Sequence, residues 1–338
     1  MSTERGTAHG GGTAHGGDAP DWRPTADPAA LRRRAALLAR TREFFAARGA
    51  LEVETPILSS GGLSDPQIES LTTEVSGMSG PFFLHTSPEY SMKRLLAAGS
   101  GDIYQLCKVF RDGERGRWHN PEFTLLEWYR LGFDDAALMT EVELLVARLL
   151  APERLLEPAE RLTYAQALRR HAGVDAHSAG DLELTRAAEK HGVDCKAELD
   201  RDAKLDLLMG LVVGPNLGRE RPCFVCDYPA SQASLARLKP GRPPVAARFE
   251  FFLDGIELAN GFHELRDAGE QRGRFARDLA ARRARGQVEP PVDERLLAAL
   301  AAGLPDCAGV ALGFDRLVAI ALGAARLPQA MAFSIDNA

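Results

Sequence analysis

Two arginines and a small set of carboxylates are spaced as a site for anions and amines would need them. Arg111 opens FRDGERGRWHNPEFTLLEWYR (residues 110–130), a polar loop between two apolar runs of strand length. Alternation places Phe123, Leu125, Glu127 and Tyr129 on one strand face, and Thr124, Leu126, Trp128 and Arg130 on the other. Glu127 therefore shares a face with apolar residues. A charge there must answer a cation such as Arg111 or a group brought in from outside, and both options stay open. Arg316 falls in the first turn of a helix predicted after GVALG. A cation in that position opposes the helix dipole and points to a bound anion. Gly309 and Gly313, just before it, would let a flat ligand approach the backbone. Glu257 and Glu264 stand in RFEFFLDGIELANGFHEL. A regular strand would send them to opposite faces; a bulge at Asn260-Gly261 would reunite them, and the pair would suit a Mg²⁺ ion otherwise held by phosphate and water. In SPEYSMKRLL, Ser87 is the natural cap of a helix, and Glu89 either complements its dipole or faces a ligand amine.

These residues need a scaffold, and 338 residues suffice for one large domain or two ordinary ones. Residues 1–21 carry GTAHGG twice and are expected to form a disordered tail. Order should begin at Asp27, an N-cap followed by Pro28, with Leu31, Ala35, Leu38 and Phe45 on the buried face of a long helix that Gly49 ends. In ALEVETPIL alternation resumes as a strand that Pro56 confines to an edge or an end, suited to pairing with a second subunit. Asp254-Gly255 between alternating arms signals a tight hairpin. The formal charge of −6 argues against long nucleic acid as the main partner, and the arginines within residues 272–285 read as a solvated helix face. Five cysteines do not form a disulfide framework, and Cys223 and Cys226 read as ordinary strand residues. The sequence has neither a run long enough to span a membrane nor a secretory leader, so the cytoplasm is the expected compartment.

Taken in order, the first helix and strand with Pro56, then FRDGERGRWHNPEF, then GVALGFDR resemble the three motifs of class II aminoacyl-tRNA synthetases, most closely the lysyl branch. Within it, SPEYSMKRLL, HNPEFTLLEWYR, PASQASLA and GIELANGFHEL resemble the elongation factor P lysine ligases, paralogues without the anticodon-binding domain. Only the glycine-rich tail and a few residues precede the first motif here, so stable tRNA binding is not expected. The resemblance covers about residues 22–338. It implies an α+β fold, a six-stranded antiparallel sheet flanked by helices, with a helical insertion over about residues 153–214 and a homodimer formed through the first motif.

The activity implied is ATP-dependent formation of an aminoacyl adenylate, followed by transfer to a lysine amine of elongation factor P. The implied amino acid is (R)-β-lysine, supplied by a lysine 2,3-aminomutase. By position in the family, Arg111 and Arg316 are catalytic, and Ser87, Glu89, Tyr129, Asn260 and Glu264 surround the substrate's ammonium groups. Asn120, Glu257, Leu258 and Gly313 join both arginines around ATP, with Mg²⁺ at Glu257 and Glu264. Two departures stand out. The family's F-R-x-E is written here as Phe110-Arg111-Asp112-Gly113-Glu114, which moves the adenine contact to Glu114 or to the backbone of Asp112 and Gly113. Ala311 stands where lysyl-tRNA synthetases tend to have glycine, and one methyl in a pocket discriminates by about 1–3 kcal/mol, here against α-lysine. Two alternatives remain, a minimal lysine-tRNA ligase and a non-catalytic synthetase-like regulator.

Overall fold

The computed structural model describes residues 22–196 and 198–338, so the expected tail at residues 1–21 lies outside the described residues. The chain opens with α1 (Pro28–Ala46), whose first turn is closed by Asp27 accepting from the Ala30 N–H at 2.7 Å. Its buried face is Ala30, Leu37, Thr41, Phe44 and Phe45. The expected face is thus rotated: Ala35 is exposed, because Phe44 and Phe45 carry the larger apolar area and set which side turns inward. Short strands β1 (Leu51–Glu52), β2 (Leu58–Ser59), β3 (Thr72–Thr73) and β4 (Phe82–Leu84) lead to α2 (Glu89–Ala97). The long strands β5 (Ile103–Phe110) and β6 (Glu122–Leu131) form the expected hairpin, followed by α3 (Asp135–Leu150).

The segment read as a helical insertion holds α4 (Tyr164–His171), α5 (Asp181–Lys190) and α6 (Arg201–Leu208), and also a strand, β7 (Glu160–Thr163). Then come β8 (Cys223–Pro229), β9 (Leu238–Lys239), β10 (Val245–Leu253), β11 (Ile256–His263), α7 (Ala268–Ala284), α8 (Glu294–Gly303), β12 (Cys307–Gly313) and α9 (Phe314–Leu322).

The main sheet runs β1-β5-β6-β12-β11-β10-β8-β7, with β9 paired to β10. Its middle, from β5 to β8, is the antiparallel six-stranded sheet the resemblance implied. Two edges extend it: β1 pairs parallel with β5, and β7 pairs parallel with β8. One face is packed by α1, α3 and α9 on Leu126, Trp128, Val310, Leu312, Phe249 and Phe251. Trp128 is fully buried, stands edge-on to Phe45 at 5.4 Å between ring centres and donates to Glu141 at 3.0 Å. Such aromatic contacts and satisfied indole N–H groups fix the register of β6 and so the residues on its other face. That other face, with Leu125, Glu127 and Tyr129, is left for the site.

Asp254 and Gly255 both take positive φ, as a two-residue hairpin with this sequence requires. The bulge in β11 is present but earlier than expected: Phe251 pairs with Ala259 and Phe252 with Glu257, so Leu258 is the extra residue. Arg274 and Arg282, read as solvated, are buried instead. Arg274 donates to the carbonyls of Ser234 and Ala236, and Arg282 to those of Asp65 and Val288, so the two brace loops around the site. No helix among the described residues is long and apolar enough to cross a membrane.

Candidate active site

Two adjoining cavities open on the exposed face of the sheet. The larger, about 660 Å³, has Arg111, Glu114, Asn120, Glu257, Gly313 and Arg316 in its wall. The smaller, about 120 Å³, has Ser87, Glu89, Glu127, Tyr129, Glu264 and Gly309. Arg111, Asn260 and Ala311 line both, at the junction. The sequence-predicted residues thus divide between a chamber with Arg111 and Arg316 beside Glu114 and Glu257, and one with Glu89, Glu127 and Glu264.

In the larger cavity Arg316 is fixed by three acceptors. Its guanidinium donates to the carbonyls of Glu257 at 2.8 Å and Trp118 at 3.2 Å, and to His119 Nε2 at 2.8 Å. Burial and the Arg316 charge hold the His119 pKa below its usual value, in keeping with a neutral imidazole that accepts. Arg111 is held loosely by comparison, donating to the Thr86 carbonyl at 3.4 Å and to Glu114 at 3.5 Å. Contacts of that length leave it free to turn onto an anion.

The departure in the hairpin has a local cause. Gly113 takes φ +73°, and its N–H is held by the Asp112 carboxylate at 2.8 Å. The tight turn swings Glu114 toward the chamber, so Glu114 lines the cavity whereas Asp112 and Gly113 do not. Asn120 lines it too, but its amide is engaged, donating to the Glu122 carbonyl at 2.6 Å and accepting from Ile335 N–H at 3.0 Å. Residues 331–337 are in turn tied to the segment before α1 by Thr25 N–H on Ala332 and Ala26 N–H on Met331.

The smaller cavity is built from α2, β6, β11 and β12. Ser87 is not the cap of α2, whose N-cap is Pro88 without a side-chain hydrogen bond; it stands one residue earlier, accepts from the Glu89 N–H at 3.0 Å and donates to Glu127 at 2.7 Å. Tyr129 donates to the other Glu127 oxygen at 2.7 Å. The carboxylate left open between an arginine and an outside group is therefore held by two hydroxyls, and burial, then the charge of Glu89, push its pKa up to about 7. Glu264 is fully buried, and burial raises its pKa as well.

Gly309 lines this cavity, and its lack of a side chain also serves its neighbours. A side chain there would meet Tyr129 Cε1 at 2.2 Å and Glu264 Oε1 at 2.6 Å, so the bare backbone makes room for those two groups. Asn260 accepts from Arg248 at 3.2 Å. Ala311 lies between Asn260 and Glu127 in the sheet register, on the floor where the cavities meet.

Glu257 and Glu264, the expected metal pair, face different chambers. Glu257 is on the larger one, 3.9 Å from Arg316, and its oxygens have the hard-donor chemistry that suits Mg²⁺. Glu264 is on the smaller one beside Lys93. Among the described residues no group of three or more His, Cys, Asp or Glu is arranged to hold a metal.

Lys93 was not singled out in the sequence. It is 1% exposed, with its ammonium 2.6 Å from Glu89 and 2.6 Å from Glu264. A signal was present, because Glu89, Met92, Lys93 and Leu96 follow the i, i+3, i+4, i+7 spacing of a buried face. The Arg248–Glu250 pair at 2.6 Å on the larger cavity was also missed. There burial, then Glu257, pushes the Glu250 pKa up to about 7.

Comparison with known proteins agrees with this geometry. The sequence profile of the tRNA synthetases class II (D, K and N) matches residues 21–337. Elongation factor P--(R)-beta-lysine ligase of Salmonella dublin is 50% identical over 323 residues, which is 94% of this chain and 98% of that protein. The protein of the same name from Salmonella arizonae is 49% identical over the same shares of both chains. The chain therefore belongs to the class II tRNA synthetase family and, within it, to the branch of the elongation factor P lysine ligases.

Proposed function

We propose that the chain activates (R)-β-lysine with ATP as an aminoacyl adenylate and transfers the acyl group to a lysine side chain of elongation factor P. The observation that carries the reading is the adjoining pair of chambers, one holding Arg316 and the other Glu89, Glu127 and Glu264, with Arg111 at their junction. Attack of a carboxylate on the α-phosphate needs no protein nucleophile, only alignment of two anions and cover for the charge that accumulates. Arg111 reaches both chambers and is assigned the substrate carboxylate and the α-phosphate. Arg316, preset by its three acceptors, is assigned the polyphosphate. Glu114 takes the adenine side, with the backbone at Glu257, Leu258 and Gly313 along the nucleotide. Mg²⁺, for which Glu257 is the carboxylate on the nucleotide side, would offset phosphate charge when bound; Glu264, in the other chamber beside Lys93, is not assigned to it.

In the acidic chamber Ser87, Glu89, Tyr129, Asn260 and Glu264 are assigned the two ammonium groups. Ala311 restricts the floor, and Ala311→Gly is expected to improve α-lysine use relative to (R)-β-lysine by about ten-fold, the lower part of a methyl's 1–3 kcal/mol; an unaltered ratio rejects this role. A homodimer through the first motif is supported by its exposed apolar residues, Leu51 in β1, Leu58 in β2 and Ile57 just before it. The amine supply implies an aminomutase acting upstream.

The deciding measurement is pyrophosphate exchange with (R)-β-lysine and with α-lysine, followed by competition between tRNA and elongation factor P as acceptors. The reading requires (R)-β-lysine-dependent exchange and a mass gain on elongation factor P. Faster charging of tRNA would replace it by a lysine-tRNA ligase, and absence of ATP binding by a regulator.

A further inference from the structure

Lys93 has no task in the reaction just described, yet it is more completely buried than most of the residues that do. Burying an ammonium is costly unless it is answered on several sides. Here the answer is two carboxylates from different elements, Glu89 at the start of α2 and Glu264 just past the end of β11, each 2.6 Å from the ammonium. Burial alone would lower the lysine's pKa; Glu264 and Glu89 outweigh it and keep the group charged. Without a cation between them the two carboxylates would repel each other across the pocket. Glu264 Oε1 has no hydrogen-bond partner, and the absent side chain of Gly309 leaves room beside it. That oxygen is buried with its accepting capacity unused, a position expected of a group waiting for a donor.

The charges make a second, independent point. Carboxylates outnumber cations at the chamber: Asp65, Glu89, Glu127, Glu264 and Asp278 line it, against Arg111 in its wall and Lys93 between Glu89 and Glu264. With the substrate carboxylate assigned to Arg111, the acidic excess is left for the substrate's ammonium groups.

We infer that Lys93 is a positioning and specificity-determining residue: it clamps Glu89 and Glu264 together, leaves an oxygen of each for the substrate, and sets the chamber's charge to favour a diamino acid over a monoamino one. It touches no reacting atom. The inference rests on the reading of this chamber as the seat of the amino acid.

The test compares the full chain with its Lys93→Met and Lys93→Arg variants. Exchange kinetics with (R)-β-lysine and with 3-aminohexanoic acid, its equivalent lacking the terminal amine, are measured alongside calorimetric binding of 1,5-diaminopentane without ATP. Lys93→Met is expected to raise KM for (R)-β-lysine about ten-fold or more, with kcat and the KM for ATP moving less than about three-fold. It should also narrow the preference over 3-aminohexanoic acid and weaken diamine binding to match. An unaltered KM and preference in the folded variant would make Lys93 a packing residue and overturn the inference. If Lys93→Met does not fold, Lys93→Arg decides. It keeps the charge but changes its reach, so the preference should survive while KM rises by roughly three-fold or more, and an unmoved KM overturns positioning. Absence of any amino-acid-dependent exchange in the unsubstituted chain would refute the ligase reading instead. The diamine-binding arm still decides the role of Lys93 in that case, because it requires neither ATP nor turnover.

Discussion

Arg316 is held by two carbonyls and an imidazole before any nucleotide arrives. A cation fixed in this way stabilises developing phosphate charge without having to reorganise. Arg316→Ala is therefore expected to lower pyrophosphate exchange by about 10²–10³-fold. A loss smaller than about ten-fold would remove Arg316 from the catalytic set. At Glu127 the expectation concerns pH. Its pKa stands near 7 in the folded chain against an ordinary 4.5, because burial and then Glu89 disfavour the charged form. A raised carboxyl pKa contributes stability that is complete below 4.5 and lost as pH climbs through 7. Glu127→Gln should remove a pH-dependent loss on the order of 3 kcal/mol across that window. Urea unfolding of both forms at several pH values measures it; parallel profiles would show that Glu127 does not titrate there.

Among the elements, β12 depends most on a single position. A methyl at Gly309 would overlap Tyr129 and crowd Glu264, so Gly309→Ala is expected to cost about 1–3 kcal/mol and to raise KM for the amino acid while leaving that for ATP. Equal effects on both substrates would point to general loosening of the sheet. The features legible in the sequence were those set by neighbours along the chain. Asp27-Pro28 began α1, Asp254-Gly255 made the β10–β11 hairpin, and alternation gave the two faces of β6. The family spelling supplied the six central strands and most of the wall of the site. What escaped was decided by distant packing. β1 and β7 are too short to show periodicity and pair with strands reached only through long connections. Lys93 was passed over because its i,i+4 partner Glu89 is local, whereas Glu264, just past β11, completes its burial only in the fold. The bulge was displaced to Leu258 because the pairing of β10, which the β11 sequence does not contain, sets its position.

On the scale of the whole molecule, the nucleotide hairpin is completed by backbone remote from it. Ile335 N–H on Asn120 and Asp336 on Arg115 bind the loop between β5 and β6, while Thr25 and Ala26 hold the same segment from the other side. Removing residues 334–338 is expected to raise KM for ATP by about five- to ten-fold, the value of roughly one lost hydrogen bond, with KM for the amino acid unmoved. Steady-state kinetics on both substrates would show it, and an unchanged KM for ATP would reduce the segment to an ornament of the surface. The hairpin and the N–H that secures it are separated by 215 positions. During translation β5 and β6 leave the ribosome long before their loop can be tied down, so a partly made chain carries the hairpin without the backbone contact that secures it. The loop is therefore secured only as the fold closes, once synthesis has passed the last strand.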